Sequence, residues 1–370
     1  MVDPHIEAEI ERDFGMVTSA DDDAVGAVAG SDKAKETLSQ FIARVLDQLS
    51  LSAWLPSAAL VLLLVFVFQL GAALDADPAP SGALDAIAAA FSVVNQTSLG
   101  AALLLVAAVI VLTMVTQAFS FEAIRVLEGY WGTNPVIERF AERRCQHHRK
   151  VRTALEERLA EVTRQAWATA AAEIEEKQQA VIDRGGKVTF TPNMISALGA
   201  PVLGRQPIVQ LTGRQKDRVA ATDWRDFAEP DLLRRRVNLR KRLRDFPEAR
   251  RVLPTRLGNV LRRHEDQTGR ASVEALVQEI FDRLPQSLKV EHDEQRTRLD
   301  LYCSMEVVIA VVAGIAALRF REHVWYSVGA VAAGLIGMWV MYRAAIASAR
   351  AYGGILVLIG RYADGLAATP

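Results

Sequence analysis

The chain has 370 residues, 51% of them apolar, with 43 Lys and Arg against 44 Asp and Glu, for a formal charge of -1 at pH 7. That near-neutral total hides strong segregation, with long uncharged apolar runs on either side of a highly charged middle. Two cysteines far apart, Cys145 and Cys303, exclude a disulfide framework and match no zinc-ligand spacing.

Residues 1–52 form an acidic region. MVDPHIEAEIERDFG lacks the basic-then-apolar pattern of a signal peptide. Asp21, Asp22 and Asp23 lead into AVGAVAGSDKA, which has the composition of a flexible tail. Phe41, Ile42, Val45 and Leu49 fall near the spacing of an amphipathic helix approaching a bilayer, with an irregular lead as the alternative. The first membrane span is predicted over residues 53–74, because an uncharged apolar run of about 20 residues suffices to cross the hydrocarbon core. A loop with Asp75, Asp77 and Asp85 but no Lys or Arg follows, with a short surface helix predicted over 85–94. The second span is predicted over 99–119.

After Phe119 the charges return abruptly. Residues 134–182 are predicted as one long helix: Ile137, Phe140, Val151, Leu155, Leu159, Val162, Ala166 and Ile174 recur at mostly three- and four-residue steps. Such a helix needs a partner along its seam, either a second copy in a coiled-coil homo-oligomer or a later helix of the same chain. Gly185 and Gly186 end it. Residues 187–229 read as loops with a short strand or helix. A helical pattern resumes near Pro230 and leads to a third apolar run at 303–320 and a fourth at 327–347. Their connection, REHVWY, is short enough to impose a hairpin.

The expected fold class is therefore all-α: a four-span helical membrane protein in two hairpins, 53–119 and 299–350, with a large helical middle over 120–298. The loop at 75–98 carries no basic residue whereas the segment after 119 is rich in them, which places the middle and both termini in the cytoplasm. Arg343, Arg350 and Arg361 agree with a cytoplasmic tail over 351–370, which either continues the fourth helix beyond the bilayer or turns along its surface. Arg319 and Arg321, in the outer turn, oppose it.

The strongest candidate site is the basic segment. Residues 231–263 hold twelve Lys and Arg, among them Arg234, Arg235, Arg236, Arg240, Lys241 and Arg242, against the three acids Asp231, Asp245 and Glu248. Beside a cytoplasmic leaflet each well-placed base gains roughly 1 kcal/mol from anionic phospholipid. The competing reading is a solvated or internally salt-bridged helix face. Nucleic acid is disfavoured, since no aromatic interleaving or base-reading motif accompanies the charge.

Within this segment Leu253-Pro254-Thr255-Arg256-Leu257-Gly258-Asn259-Val260-Leu261-Arg262, followed by Glu265-Asp266, resembles the LPTRLGN-LR-x-x-ED signature of a family of bacterial integral membrane proteins common in actinobacteria and cyanobacteria. The order of an apolar pair, a charged middle with this motif, Arg283-Leu284-Pro285 and a second apolar pair is also similar. Relatives continue with a tyrosine-glycine pair and a tryptophan-proline segment, where this chain has Gly269-Arg270-Ala271-Ser272. The resemblance implies a multi-pass protein of the bacterial inner membrane and supplies no catalytic residue. Physically, Pro254-Thr255 starts a helix, Gly258 permits close backbone approach, Asn259 caps a following helix, and Arg262 and Glu265 share a face. The alternatives for this stretch are a structural joint or a small-ligand or lipid-headgroup site.

Glu306 enters the third span and Arg343 sits at a corresponding depth in the fourth, which predicts an intramembrane pair. Cys145, His147 and His148 fall short of a zinc set. No phosphate-loop or nucleophile-elbow pattern occurs, and no cofactor is expected. The functional expectation is a non-enzymatic membrane scaffold or interaction protein. An oligomeric channel or transporter subunit is the alternative and a lipid-acting membrane enzyme the third reading.

Overall fold

The computed structural model describes residues 51–76, 82–94, 99–132, 134–206, 210–269 and 273–368. The acidic N-terminal region and its expected helix lie outside them. Among the described residues 85% are helical and none is in a strand. The helices in order are α1 (Leu51–Leu74), α2 (Ala83–Val94), α3 (Leu99–Glu128), α4 (Pro135–Asp183), α5 (Pro192–Val202), α6 (Gly213–Ala221), α7 (Pro230–Leu243), α8 (Arg256–Thr268), α9 (Val273–Ile280), α10 (Gln286–Arg319) and α11 (Val324–Ala368).

Three helices, α1, α10 and α11, are long and apolar enough to cross a membrane, and α3 makes a fourth if its two parts, bent by 43° after Phe119, form one span. Of the most apolar window of α11 only 6% is buried, leaving Leu335, Ile336 and Trp339 facing outward. A water-soluble fold would hide such a surface. α1 packs on α3 and α10, and α10 packs on α11. Val67, Leu70, Leu74, Ala316 and Phe320 form the core between α1 and α10. Ser57, fully buried, shares a 2.6 Å hydrogen bond with Thr116, a polar link between α1 and α3 where water cannot compete. At the far end Asp75 accepts hydrogen bonds from Arg319 and lies 3.2 Å from the His323 ring. Arg319, one of the two bases that opposed the expected topology, thus pairs with an acid from the other apolar pair, while Arg321 stays exposed beside Glu322.

The third and fourth apolar runs belong to helices much longer than predicted. α10 begins at Gln286, and α11 continues unbroken to Ala368, so of the two readings of the C-terminal tail residues 351–368 follow the first and continue the fourth helix. Its last turns are not surplus. Ile346, Tyr352, Ile355, Leu356 and Ile359 pack with Leu257, Val260, Val273, Leu276 and Leu299 into the largest core of the molecule.

A third core lies along α4. Asn134 caps this helix by accepting from the Val136 N–H at 3.0 Å, with Pro135 at the first position. Ala166, Ala170 and Ile174 are buried against Ile195 and Leu198 of α5, Trp224, and Leu232 of α7. The later part of the seam, Ala166 to Ile174, is thus covered by later helices of the same chain, whereas Ile137 and Phe140 of the same pattern stay exposed. Residues 187–229 are helical where they are described, apart from their connections.

Candidate functional site

The segment 253–259 turns the chain out of the basic stretch and into α8, and most of its polar groups are spoken for. Thr255 occupies the cap: its Oγ1 accepts from the Gly258 N–H at 3.1 Å and donates to the Glu128 carbonyl at 2.7 Å. One hydroxyl therefore satisfies an orphan donor of α8 and an orphan acceptor of α3. The helices approach so closely that a Cβ on Gly258 would stand 2.0 Å from the Glu128 oxygen.

Asn259 is fully buried. Its Oδ1 accepts from the Leu253 N–H at 2.7 Å, and its Nδ2 donates to the carbonyls of Leu253 at 3.0 Å and Thr255 at 2.7 Å. The expectation that Asn259 caps a following helix is corrected. Thr255 takes that position four residues earlier, and Asn259 reaches back over the helix start to hold the loop. The next two amides of α8, Arg256 and Leu257, donate to the hydroxyl of Tyr342 on α11 at 3.1 and 3.3 Å.

Arg256 sends its guanidinium to Asp245, meeting the carboxylate at 2.8 Å, while Arg350 of α11 grips both oxygens at 2.9 and 2.7 Å. The Asp245 side chain is 8% exposed, its two partners 40% and 43%. Burial alone would raise this carboxyl, but the hydrogen bonds from Arg350 and Arg256 outweigh it and hold it below the usual carboxylate range. Replacing Asp245 by asparagine is expected to cost on the order of 1–2 kcal/mol at pH 7, discounted for the exposure of both arginines. Because the folded-state pKa is depressed, this contribution is complete above the unfolded value of about 3.9 and is lost as the pH falls through the lower folded value. Melting curves of both proteins between pH 7 and pH 3 should therefore converge at the acid end. A constant offset would contradict the ion-pair assignment.

Nearby, Arg251 pairs with Asp266, whose other oxygen accepts from the Glu248 N–H at 3.0 Å. Arg262 meets Glu265 at 2.7 Å. The joint thus gathers the predicted Pro254, Thr255, Arg256, Gly258, Asn259, Arg262 and Glu265. To these it adds Asp266, the last residue of the motif, Arg350, noted in the sequence only for its topology, and Glu128 and Tyr342, which no local pattern singled out. Asp245 had a weak signal: an acid retained among so many bases marks a position where charge is answered.

The bases of α7 do not share one surface. Arg235, Lys241 and Arg242 are exposed, and Arg234 pairs with Asp231 at 3.2 Å on the surface. Arg236 is buried beneath Trp224, and Arg240 faces a cleft beside it.

The predicted Glu306–Arg343 pair does not form. Arg343 lays its guanidinium over the Trp339 ring, 5.4 Å from the centroid, while Glu306 keeps a buried Oε2 with no hydrogen-bond partner. Matching depth on antiparallel helices does not ensure matching azimuth, and Arg343 is turned to the exposed face of α11.

Behind the joint, a cavity of about 260 Å³ brings together Glu128, Glu265, Glu274 and Asp300 with Arg125 and Arg296. This convergence of carboxylates was invisible in sequence order. Cys145 is half-buried, and the His148 ring lies 6.2 Å from that of Phe246, tilted by 54°. Among the described residues no group of three or more His, Cys, Asp or Glu is arranged to hold a metal ion. No protein-family model, curated protein or solved structure matches the chain.

Proposed function

We propose that the chain is a multi-pass scaffold of the bacterial inner membrane, a member of the family its LPTRLGN motif resembles. In this reading two hairpins, α1–α3 and α10–α11, cross the bilayer and the middle lies in the cytoplasm. One observation carries it. α11 runs without interruption from the apolar hairpin into the joint, where Tyr342 and Arg350 bind the start of α8 and the basic segment directly. An arm held by partly buried hydrogen bonds to a spanning helix has its pose relative to the bilayer set by the fold, as a platform for lipid or protein contact requires. The exposed Arg235, Lys241 and Arg242 supply charge for an anionic leaflet.

The test is depth-dependent quenching. A fluorophore on Val237→Cys, an exposed position among these bases, is placed on the full chain reconstituted in vesicles carrying a lipid-borne quencher. Quenching should rise in anionic over neutral vesicles and fall at high salt. Equal quenching in both would reject electrostatic contact with the membrane. A second reading, an oligomeric channel or transporter subunit, is favoured by the unpartnered Glu306 oxygen within α10. Ion flux across the same vesicles is the result that would support it. The carboxylates around the cavity behind the joint favour the third reading, a lipid-acting enzyme.

A further inference from the structure

Away from the joint, a cleft of about 680 Å³ opens between α4, the end of α5 and α7. Four guanidinium groups line it, those of Arg164, Arg205, Arg236 and Arg240, against the single carboxylate of Glu156. Two of these charges are already answered: Arg164 by Glu161 at 2.6 Å, and Glu156 by Arg152 at 2.8 Å. Among the described residues no ion pair reaches Arg205, Arg236 or Arg240.

Arg236 decides what the cleft is for. It is only 6% exposed. Its Nε donates to Thr163 at 3.3 Å, and its guanidinium stands 5.3 Å from the Trp224 ring centroid, so neither close neighbour carries negative charge. The acid whose charge reaches it, Asp223, is held by both oxygens on Arg225. A surface arginine without a partner is solvated and needs no explanation. A buried one at the wall of a cavity, with two more unpaired arginines beside it, is a cation awaiting an anion. The C-terminal carbonyls of α5 at the rim would repel such a ligand. Three of them are already occupied: Gly199, Ala200 and Pro201 accept from the amides of Leu203, Arg205 and Gly204. The remaining wall is apolar, formed by Leu159, Ala160 and Trp167 of α4 with Val202.

We infer that this cleft binds a phosphate-bearing small molecule, whose phosphate is gripped by Arg236 and Arg240 with Arg205 across the mouth. Its organic part lies on Trp167 and Leu159. Planar guanidinium forks match phosphate oxygens in pairs. The volume falls within the range of small-molecule sites, roughly 300–1,000 Å³, and leaves ample room beyond one phosphate group. Thr163 lies about 40 Å along α4 from its N-terminus. The same chemistry therefore serves a soluble phosphate compound or, if α4 lies along the bilayer, a lipid headgroup.

The experiment titrates the full chain, held in neutral phosphatidylcholine nanodiscs, with inorganic pyrophosphate and separately with dioctanoyl phosphatidic acid, by calorimetry. Saturable binding of at least one probe is expected, weakened at least about tenfold by Arg236→Met and by Arg240→Met. Arg214→Met, at an exposed position of α6 outside the cleft, should stay within about twofold of the parent. Binding of pyrophosphate identifies a soluble ligand class, and binding of phosphatidic acid alone identifies a headgroup. Should Arg236→Met fail to fold, the exposed Arg240→Met still decides. Absence of saturable binding by either probe overturns the inference. So does binding that Arg240→Met leaves intact, or that Arg214→Met weakens equally.

Discussion

Gly258→Ala is expected to destabilise the detergent-solubilised protein by about 2–3 kcal/mol, against the sign that helix propensity predicts. Position 258 lies in the first turn of α8, and alanine in a free helix is about 1 kcal/mol better than glycine. Here the added methyl would stand 2.0 Å from the Glu128 carbonyl oxygen and 2.9 Å from its carbon. Backbone at a helix terminus cannot rotate away as a side chain can. α8 would have to withdraw from α3, taking with it the Thr255 hydroxyl that bridges them at 2.7 Å. Gly354→Ala on α11 is the control, since no neighbouring atom lies within 4 Å of the place its methyl would take. That variant should be neutral or slightly stabilised. A Gly258→Ala protein melting at or above the parent temperature would remove close helix approach as the reason for glycine in the motif.

Asn259 carries the second large effect. Alanine there strands the Leu253 amide and carbonyl against a fully buried position, while the Thr255 carbonyl keeps only the backbone N–H of residue 259 at 3.2 Å; unsatisfied groups of this kind cost about 1–3 kcal/mol each. Relaxation and water entry offset part of this, leaving a net loss on the order of 3 kcal/mol. Aspartate keeps the shape but replaces the Nδ2 donor by a second acceptor facing those carbonyls at 3.0 and 2.7 Å, and it adds a buried charge. The expected stability order, from urea or thermal melts of the intact chain, is parent, then Asn259→Ala, then Asn259→Asp. If aspartate is tolerated as well as the parent side chain, the amide is not donating as the geometry has it.

These two residues show how far the motif was legible. Its specificity was visible as a string, and both the helix start at Pro254-Thr255 and the Arg262–Glu265 pair followed from spacing, because caps and i,i+3 pairs are local. What Gly258 and Asn259 touch was not. One meets the end of a helix about 130 residues earlier, the other its own preceding loop, and no periodicity encodes either. Arg236 makes the same point in reverse. As a member of a basic run it looked like its exposed neighbours Arg235 and Lys241, yet the packing of α7 on α4 buries it beneath Trp224.

By itself the sequence determined the helical class, the apolar helices and the bracketing of α4 by Asn134-Pro135 and Gly185-Gly186, since hydrophobic run length, capping and termination act within a few turns. Only the tertiary structure decided that α11 continues into the joint and that Asp245 unites Arg256 with Arg350. It also decided that Glu306 and Arg343 part company and that three unpaired arginines face one cleft. Each of those depends on the azimuth at which separate helices meet, which side-chain packing across the whole fold determines.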